Sequence, residues 1–214
     1  MKAIEQFTLS SASGHEVQVS VFGLCDYQTV YEAMSSYAAE REEADADQIW
    51  LVQHFPVYTQ GTACTQETLL PSDIPVVKTD RGGQITYHGP GQIVMYPLLR
   101  LKRFGFGVKS LVTHLEQSVI DTLKGYEIKA ERREDAPGVY VEQAKIAALG
   151  LRIRRGNSYH GLSFNLDMDL SPFSNVDPCG YKGMQVAQLA DLIDEDVDFQ
   201  ASSRQLLDNF LALI

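Results

Sequence analysis

The chain has 214 residues, 44% of them hydrophobic and 21% charged, with a formal net charge of −10 and a pI of about 4.9. This is the length and composition of a single globular domain spanning residues 1–214. The acidic balance argues against nucleic acid as a partner of the whole protein. No apolar run approaches the roughly 18 residues of a membrane-crossing helix.

Two strand patterns open the chain, IEQFTL and VQVSVFG, with SASGHE as the turn between them. A helix is predicted from Asp26, a plausible N-cap, to about Glu43, with Val30, Met34, Tyr37 and Ala38 near one face. QIWLVQHF reads as a buried strand and FPVYTQGTACT as a loop. VVKTD, QITYH and QIVMYPLL read as successive strands separated by glycine turns. VKSLVTHLEQSVIDTLKGY is the clearest helix: Val108, Leu111, Val112, Leu115, Val119 and Leu123 share a side, and Gly125 ends it. GVYVEQ, KIAALGLRI and YHGLSFNLD read as three further strands, and SPFSNVDPCGYKG as irregular chain. MQVAQLADL is a short helix or strand, and FQASSRQLLDNFLALI a final amphipathic helix. Strands in runs with few long helices indicate an α+β fold with a mainly antiparallel or mixed sheet.

The N-terminal MKAIEQFTLSSASGHE lacks an apolar signal-peptide core. The three cysteines, Cys25, Cys64 and Cys179, make a poor disulfide framework. Both observations point to the cytoplasm. No CxxC or HExxH is present, so a metal site has no support. Neither GxxxxGK[ST] nor GxGxxG occurs, so the glycine-rich RGGQITYHGPGQ is neither of these phosphate-binding loops. A strand preceded by so little side chain allows close approach of its backbone to a ligand, and Gly150 and Gly161 offer the same from neighbouring strands. Basic residues gather in the middle of the chain, among them Lys78, Arg81, Arg100, Lys102, Arg103, Lys109, Arg132, Arg133, Arg152, Arg154 and Arg155. They read either as separate solvated side chains or, together, as a cationic patch for an acidic partner.

Cys25 ends a strand pattern and reads as a small buried hydrophobe, and Cys64 lies in a polar loop. Cys179, between Pro178 and Gly180, has the local setting of a presented nucleophile and equally of an ordinary tight turn. A thiol needs a partner to become a thiolate at neutral pH. Lys145, the odd residue in a largely apolar strand, is one candidate: in a dry site its pKa falls from about 10.4, whereas at an exposed strand edge it is unremarkable. His88 and His160, each preceding a glycine, are the alternatives.

RGGQITYHGPGQ, KIAALG and YHGLSFNLDMDLSPFSNVDPCG, in that order, closely resemble the octanoyl-acyl-carrier-protein:protein N-octanoyltransferases of lipoate biosynthesis, relatives of the biotin and lipoate ligases. The resemblance spans about residues 50 to 190. It implies the mixed sheet and flanking helices of the biotin/lipoyl ligase catalytic domain. It implies that Cys179 is the acyl-thioester nucleophile and that Lys145 lowers the thiol pKa. The implied substrate-binding segments are Arg81, Gly82, Gly83, Gln84, Ile85, Thr86, Tyr87 and His88; Ala148, Leu149 and Gly150; and Gly161, Leu162 and Ser163. The implied donor is octanoyl-acyl carrier protein. The implied acceptors are lipoyl domains of 2-oxo acid dehydrogenases and the glycine cleavage H protein, with no cofactor. The chain departs from the family pattern at Tyr140, where many relatives have tryptophan, and at Asp177, whose carboxylate would raise the thiol pKa. The rival readings are an ATP-dependent ligase of the same fold, a thiol hydrolase using Cys179 with His160 and Asp177, and a noncatalytic module that binds carrier domains.

Overall fold

The computed structural model describes residues 2–64, 72–134, 136–176 and 185–214. Along the chain the elements are β1 (Glu5–Ser10), β2 (Glu16–Cys25), α1 (Tyr27–Glu40), β3 (Asp47–His54), β4 (Val57–Gln60), β5 (Val76–Lys78), β6 (Ile85–His88), β7 (Gln92–Leu98), α2 (Val108–Lys124), β8 (Glu131–Arg132), β9 (Gly138–Val141), β10 (Ala144–Arg154), β11 (Asn157–Asn165) and α3 (Phe199–Leu211). Short 3-10 turns occupy Ser171–Asn175 and Leu189–Asp191. Among the described residues the strands form an eight-stranded sheet in the order β1-β2-β3-β7-β11-β10-β9-β8 and a three-stranded sheet in the order β5-β4-β6. The β2–β3 and β4–β5 pairs are parallel and the other pairs antiparallel, so both sheets are mixed.

The large sheet is covered on both faces. Met34, Val30 and Ala38 of α1 pack with Trp50, Val94, Tyr96 and Leu98 on one side, while Leu111, Leu115 and Val119 of α2 and Leu206, Leu207 and Phe210 of α3 pack with Ile49, Ile93 and Met95 on the other. Hence QIVMYPL lacks polar alternation: every residue of β7 is buried, odd and even positions entering opposite layers. β11, at the centre beside it, is likewise buried throughout. Asp26 caps α1 as the sequence indicates, its carboxylate accepting from Thr29 N at 2.8 Å. Asp198 caps α3 in the same way.

Three expectations are corrected. FPVYTQGTACT is not all loop: Val57–Gln60 is the central strand of the small sheet, with Val57, Tyr58 and Thr59 buried. The first helix ends at Glu40, because the Arg41 side chain turns inward to a buried ion pair with Asp47 at 3.1 Å. The cationic patch is partly committed inside the protein: Arg103 also pairs with Asp47, Arg132 faces Glu116 at 3.9 Å, and Arg81 is buried. No helix among the described residues is long and apolar enough to cross a membrane.

Candidate active site

A cleft of about 430 Å3 opens between the two sheets. One wall is the Arg81–Gln84 loop running into β6, the opposite wall is β10 from Lys145 to Leu151, and β11 contributes Gly161, Leu162 and Ser163. Val108 and Val112 of α2 also face it, which explains two apolar residues of the helix stripe that do not enter the core. All the expected binding segments therefore border one cavity. Tyr87 is the exception: its ring packs 5.6 Å from Tyr58 and 5.4 Å from Phe173, behind β6.

Arg81 is held by Thr59. Its Nη2 donates to the Thr59 carbonyl at 2.6 Å, and Nε and Nη2 donate to Oγ1 at 3.2 and 2.9 Å. Gly82 N donates to Leu151 O at 3.0 Å, pinning the loop against β10. Gly150 serves this contact: a Cβ there would stand 3.0 Å from Arg81 Cδ and from Gly82 O. Gly161 does not open space toward a ligand. Its Cβ would lie 2.0 Å from Met95 O, so its bare backbone allows the close packing of β11 on β7.

The two histidines have different fates. Thr59 Oγ1 accepts from Arg81, so its own proton goes to His88 Nε2, 3.3 Å away. His88 Nδ1 then donates to Gln92 Oε1 at 2.7 Å. Both ring nitrogens are engaged, and burial pushes the pKa down to about 3. His88 is a neutral structural residue. Gln92 Nε2 donates onward to Asn165 Oδ1 at 2.9 Å, and Asn165 Nδ2 to Ala187 O at 2.9 Å. His160 has a left-handed φ of 57°. Its Nε2 donates to Asp80 Oδ1 at 3.0 Å, and the Tyr31 and Tyr159 hydroxyls donate to the same carboxylate. These donors, His160 foremost, hold Asp80 well below the usual carboxylate range, while burial lowers the His160 pKa. Burial first, and then the hydrogen bond to Asp80, pushes Tyr159 up to about 12. His160 borders the cleft, and its Nδ1 makes no hydrogen bond among the described residues.

Lys145 is 6% exposed and lines the cleft. The pairing of β10 with β9 shifts register between Lys145 and Ala147, a bulge of the kind that re-aims a side chain. Nζ lies 3.4 Å from Pro137 O and 5.3 Å from the centre of the Tyr140 ring. Lys145 N donates to Gln185 O at 2.8 Å, and Ala187 N to Lys145 O at 3.0 Å, around a parallel bridge to Val186. Cys179, like Asp177, Pro178 and Gly180, lies outside the described residues. Tyr27, Tyr96, Pro137, Phe173 and Val186 also border the cleft. Sequence inspection does not single these out, since each belongs to a strand, helix or turn whose apolar character already has a packing explanation.

The lipoyl protein ligase A/B catalytic domain family matches residues 26–211. The chain belongs to this family. Among curated relatives, the octanoyltransferase of Shewanella halifaxensis is 57% identical over 171 residues, covering 79% of this chain and 78% of its own length. Among solved structures of the fold, lipoate-protein ligase A bound with ATP superposes with a TM-score of 0.74 at 13% identity, covering 90% of this chain and 83% of the other. An archaeal bi-partite lipoate protein ligase, described with its E2 lipoyl domain, from Thermoplasma acidophilum superposes with a TM-score of 0.69 at 16% identity, covering 90% and 81%. At those identities the structural likeness establishes the mixed-sheet α+β fold of the lipoate ligases, as the sequence resemblance implies.

Proposed function

We propose that this chain is a cytoplasmic octanoyltransferase: it moves an octanoyl group from octanoyl-acyl carrier protein to the target lysine of lipoyl domains through a thioester on Cys179. The reading is carried by the close similarity to octanoyltransferases. The site geometry supports it. A buried lysine borders an apolar-walled cleft, and its backbone pairs with Val186, in the segment that follows Cys179 in the chain.

In this mechanism Lys145 Nζ accepts the thiol proton, and the thiolate sulfur attacks the donor thioester carbonyl. The carbon–sulfur bond to the carrier breaks, and the carrier thiolate leaves with a proton returned from Lys145. The neutral acceptor amine then attacks the acyl-enzyme, Lys145 takes its surplus proton, and Cys179 departs as thiolate. Thioester-to-thioester exchange is nearly isoenergetic and amide formation downhill, so no nucleotide is required. The octanoyl tail lies against the apolar lining. At about 0.8 kcal/mol per buried CH2, seven carbons offer roughly 5 kcal/mol of binding. Arg81, buried and fixed by Thr59, holds the glycine loop in place as part of the cleft wall.

The test is a transfer assay with octanoyl-acyl carrier protein and a purified lipoyl domain, run without and with ATP. Octanoylation of the domain lysine independent of ATP is expected. Product formed only from free octanoate and ATP would assign the chain to the ligases instead, and release of free octanoate without acylation would assign it to the hydrolases.

A further inference from the structure

α2 presents a carboxylate where its apolar stripe predicts a hydrophobe. Glu116 stands four residues from Val112 and three from Val119, and it is 5% exposed. Burial raises its pKa, against which the Gly138 N–H and Arg132 act. Glu116 Oε1 accepts from Gly138 N at 3.0 Å, and Oε2 lies 3.9 Å from Arg132 Nε. It does not line the cleft.

The backbone it grips is the one that surrounds Lys145. The Pro137 carbonyl, directly before Gly138, accepts from Lys145 Nζ. The Ala136 carbonyl accepts from the Tyr140 hydroxyl at 2.9 Å, fixing the ring beside Nζ. A side chain on Gly138 would reach 3.1 Å from Lys145 Cε. Ala136, Pro137 and the start of β9 therefore form part of the seat of the lysine end group, and the Glu116–Gly138 hydrogen bond ties that segment to α2.

We propose that Glu116 is a positioning residue for Lys145: by accepting the Gly138 N–H it fixes the Pro137 carbonyl and the Tyr140 ring that orient Nζ in the cleft. This rests on Lys145 being the base of the transfer reaction. Glu116 lies outside the cleft lining and acts through backbone placement, not through its charge.

The test compares Glu116→Ala, Glu116→Gln and Lys145→Ala in the full chain. Three quantities are read: kcat and KM for octanoyl transfer, the pH midpoint of Cys179 alkylation followed on its own peptide, and the melting temperature. Glu116→Ala is expected to lower kcat about 10-fold, as a small misplacement of a catalytic group does, with KM within about 2-fold by the same reasoning. Its alkylation midpoint should move upward, in the same direction as in Lys145→Ala and by less. Glu116→Gln keeps the acceptor oxygen and should restore the midpoint. Should Glu116→Ala melt below the assay temperature, Glu116→Met, of similar volume and without an acceptor, takes its place. A midpoint that moves in Lys145→Ala but not in the Ala or Met variant overturns this inference alone. A Gln variant that behaves like Ala overturns it too, because charge would then be the cause. An unmoved midpoint in Lys145→Ala overturns the base assignment and this inference with it.

Discussion

Gln92→Leu tests the polar chain beneath the cleft. Gln92 is fully buried, and its amide joins three groups: His88 Nδ1 at 2.7 Å, Tyr87 O at 3.3 Å and Asn165 Oδ1 at 2.9 Å. Leucine is close in size, so the cavity contribution is small and the cost is that of the partners left unpaired. At the low end of about 1–3 kcal/mol per stranded buried group, three of them cost about 3 kcal/mol. For a chain of this length that lowers Tm by about 6–12 °C. Urea denaturation and thermal melts followed by circular dichroism measure both quantities. The double variant Gln92→Leu/Asn165→Leu should lose less than the sum of the single changes, by about 1 kcal/mol, because one stranded pair disappears together. A Gln92→Leu protein within about 0.5 kcal/mol of the parent, the range of ordinary surface substitutions, would refute the network as a stabilising element.

Asp47→Ala removes the carboxylate from Arg41, which is itself buried, and should destabilise by about 3 kcal/mol in urea titrations, at the lower end for breaking a buried pair because Arg41 keeps its bonds to backbone carbonyls. Gly161→Ala places a Cβ 2.0 Å from Met95 O in the centre of the sheet and should cost more than the ~1–3 kcal/mol of ordinary overpacking, whereas Gly150→Ala, at 3.0 Å from Arg81, should stay folded and show its effect in KM. Stability should also fall on acidification. His54 and His88 have folded pKa values lowered by burial to about 4 and about 3, against 6.5 ordinarily. The unfolded chain takes up their protons first, so their contribution is complete above pH 6.5 and is lost as pH falls toward 4 and then 3. For His54 alone this amounts to about 3 kcal/mol, and equal urea midpoints at pH 7 and pH 4 would contradict it.

The sequence made the long elements legible because their periodicity reflects one-sided burial. α2 shows its stripe, Asp26 announces a helix start, and QIWLVQHF reads as a buried strand, as β3 is. β4 stayed hidden because VYTQ is only four residues long and sits among turn-forming residues, and its strand character comes from pairing with β5 and β6, far along the chain. The cleft was legible as motifs but not as geometry. RGGQIT and ALG read as openings for a ligand, yet Gly150 makes room for Arg81, and Gly161 lets two strands approach. The choice between His88 and His160 was open in the sequence, since both are His-Gly at a strand pattern's end. Three-dimensional partners separate them: Thr59 and Gln92 occupy both nitrogens of His88, whereas Asp80 takes one of His160. Glu116 did leave a signal, a carboxylate on an apolar helix face, but its partner Gly138 is visible only in the fold.

The proposal that Cys179 carries the octanoyl group is tested most directly by intact-mass measurement of the protein after incubation with octanoyl-acyl carrier protein, without an acceptor and without ATP. One octanoyl group should be added to the parent chain, should transfer to a lipoyl domain supplied afterwards, and should be missing from Cys179→Ser as a thioester. An adduct that survives unchanged in Cys179→Ser, or a parent chain that acylates the lipoyl domain without ever gaining mass, would contradict it.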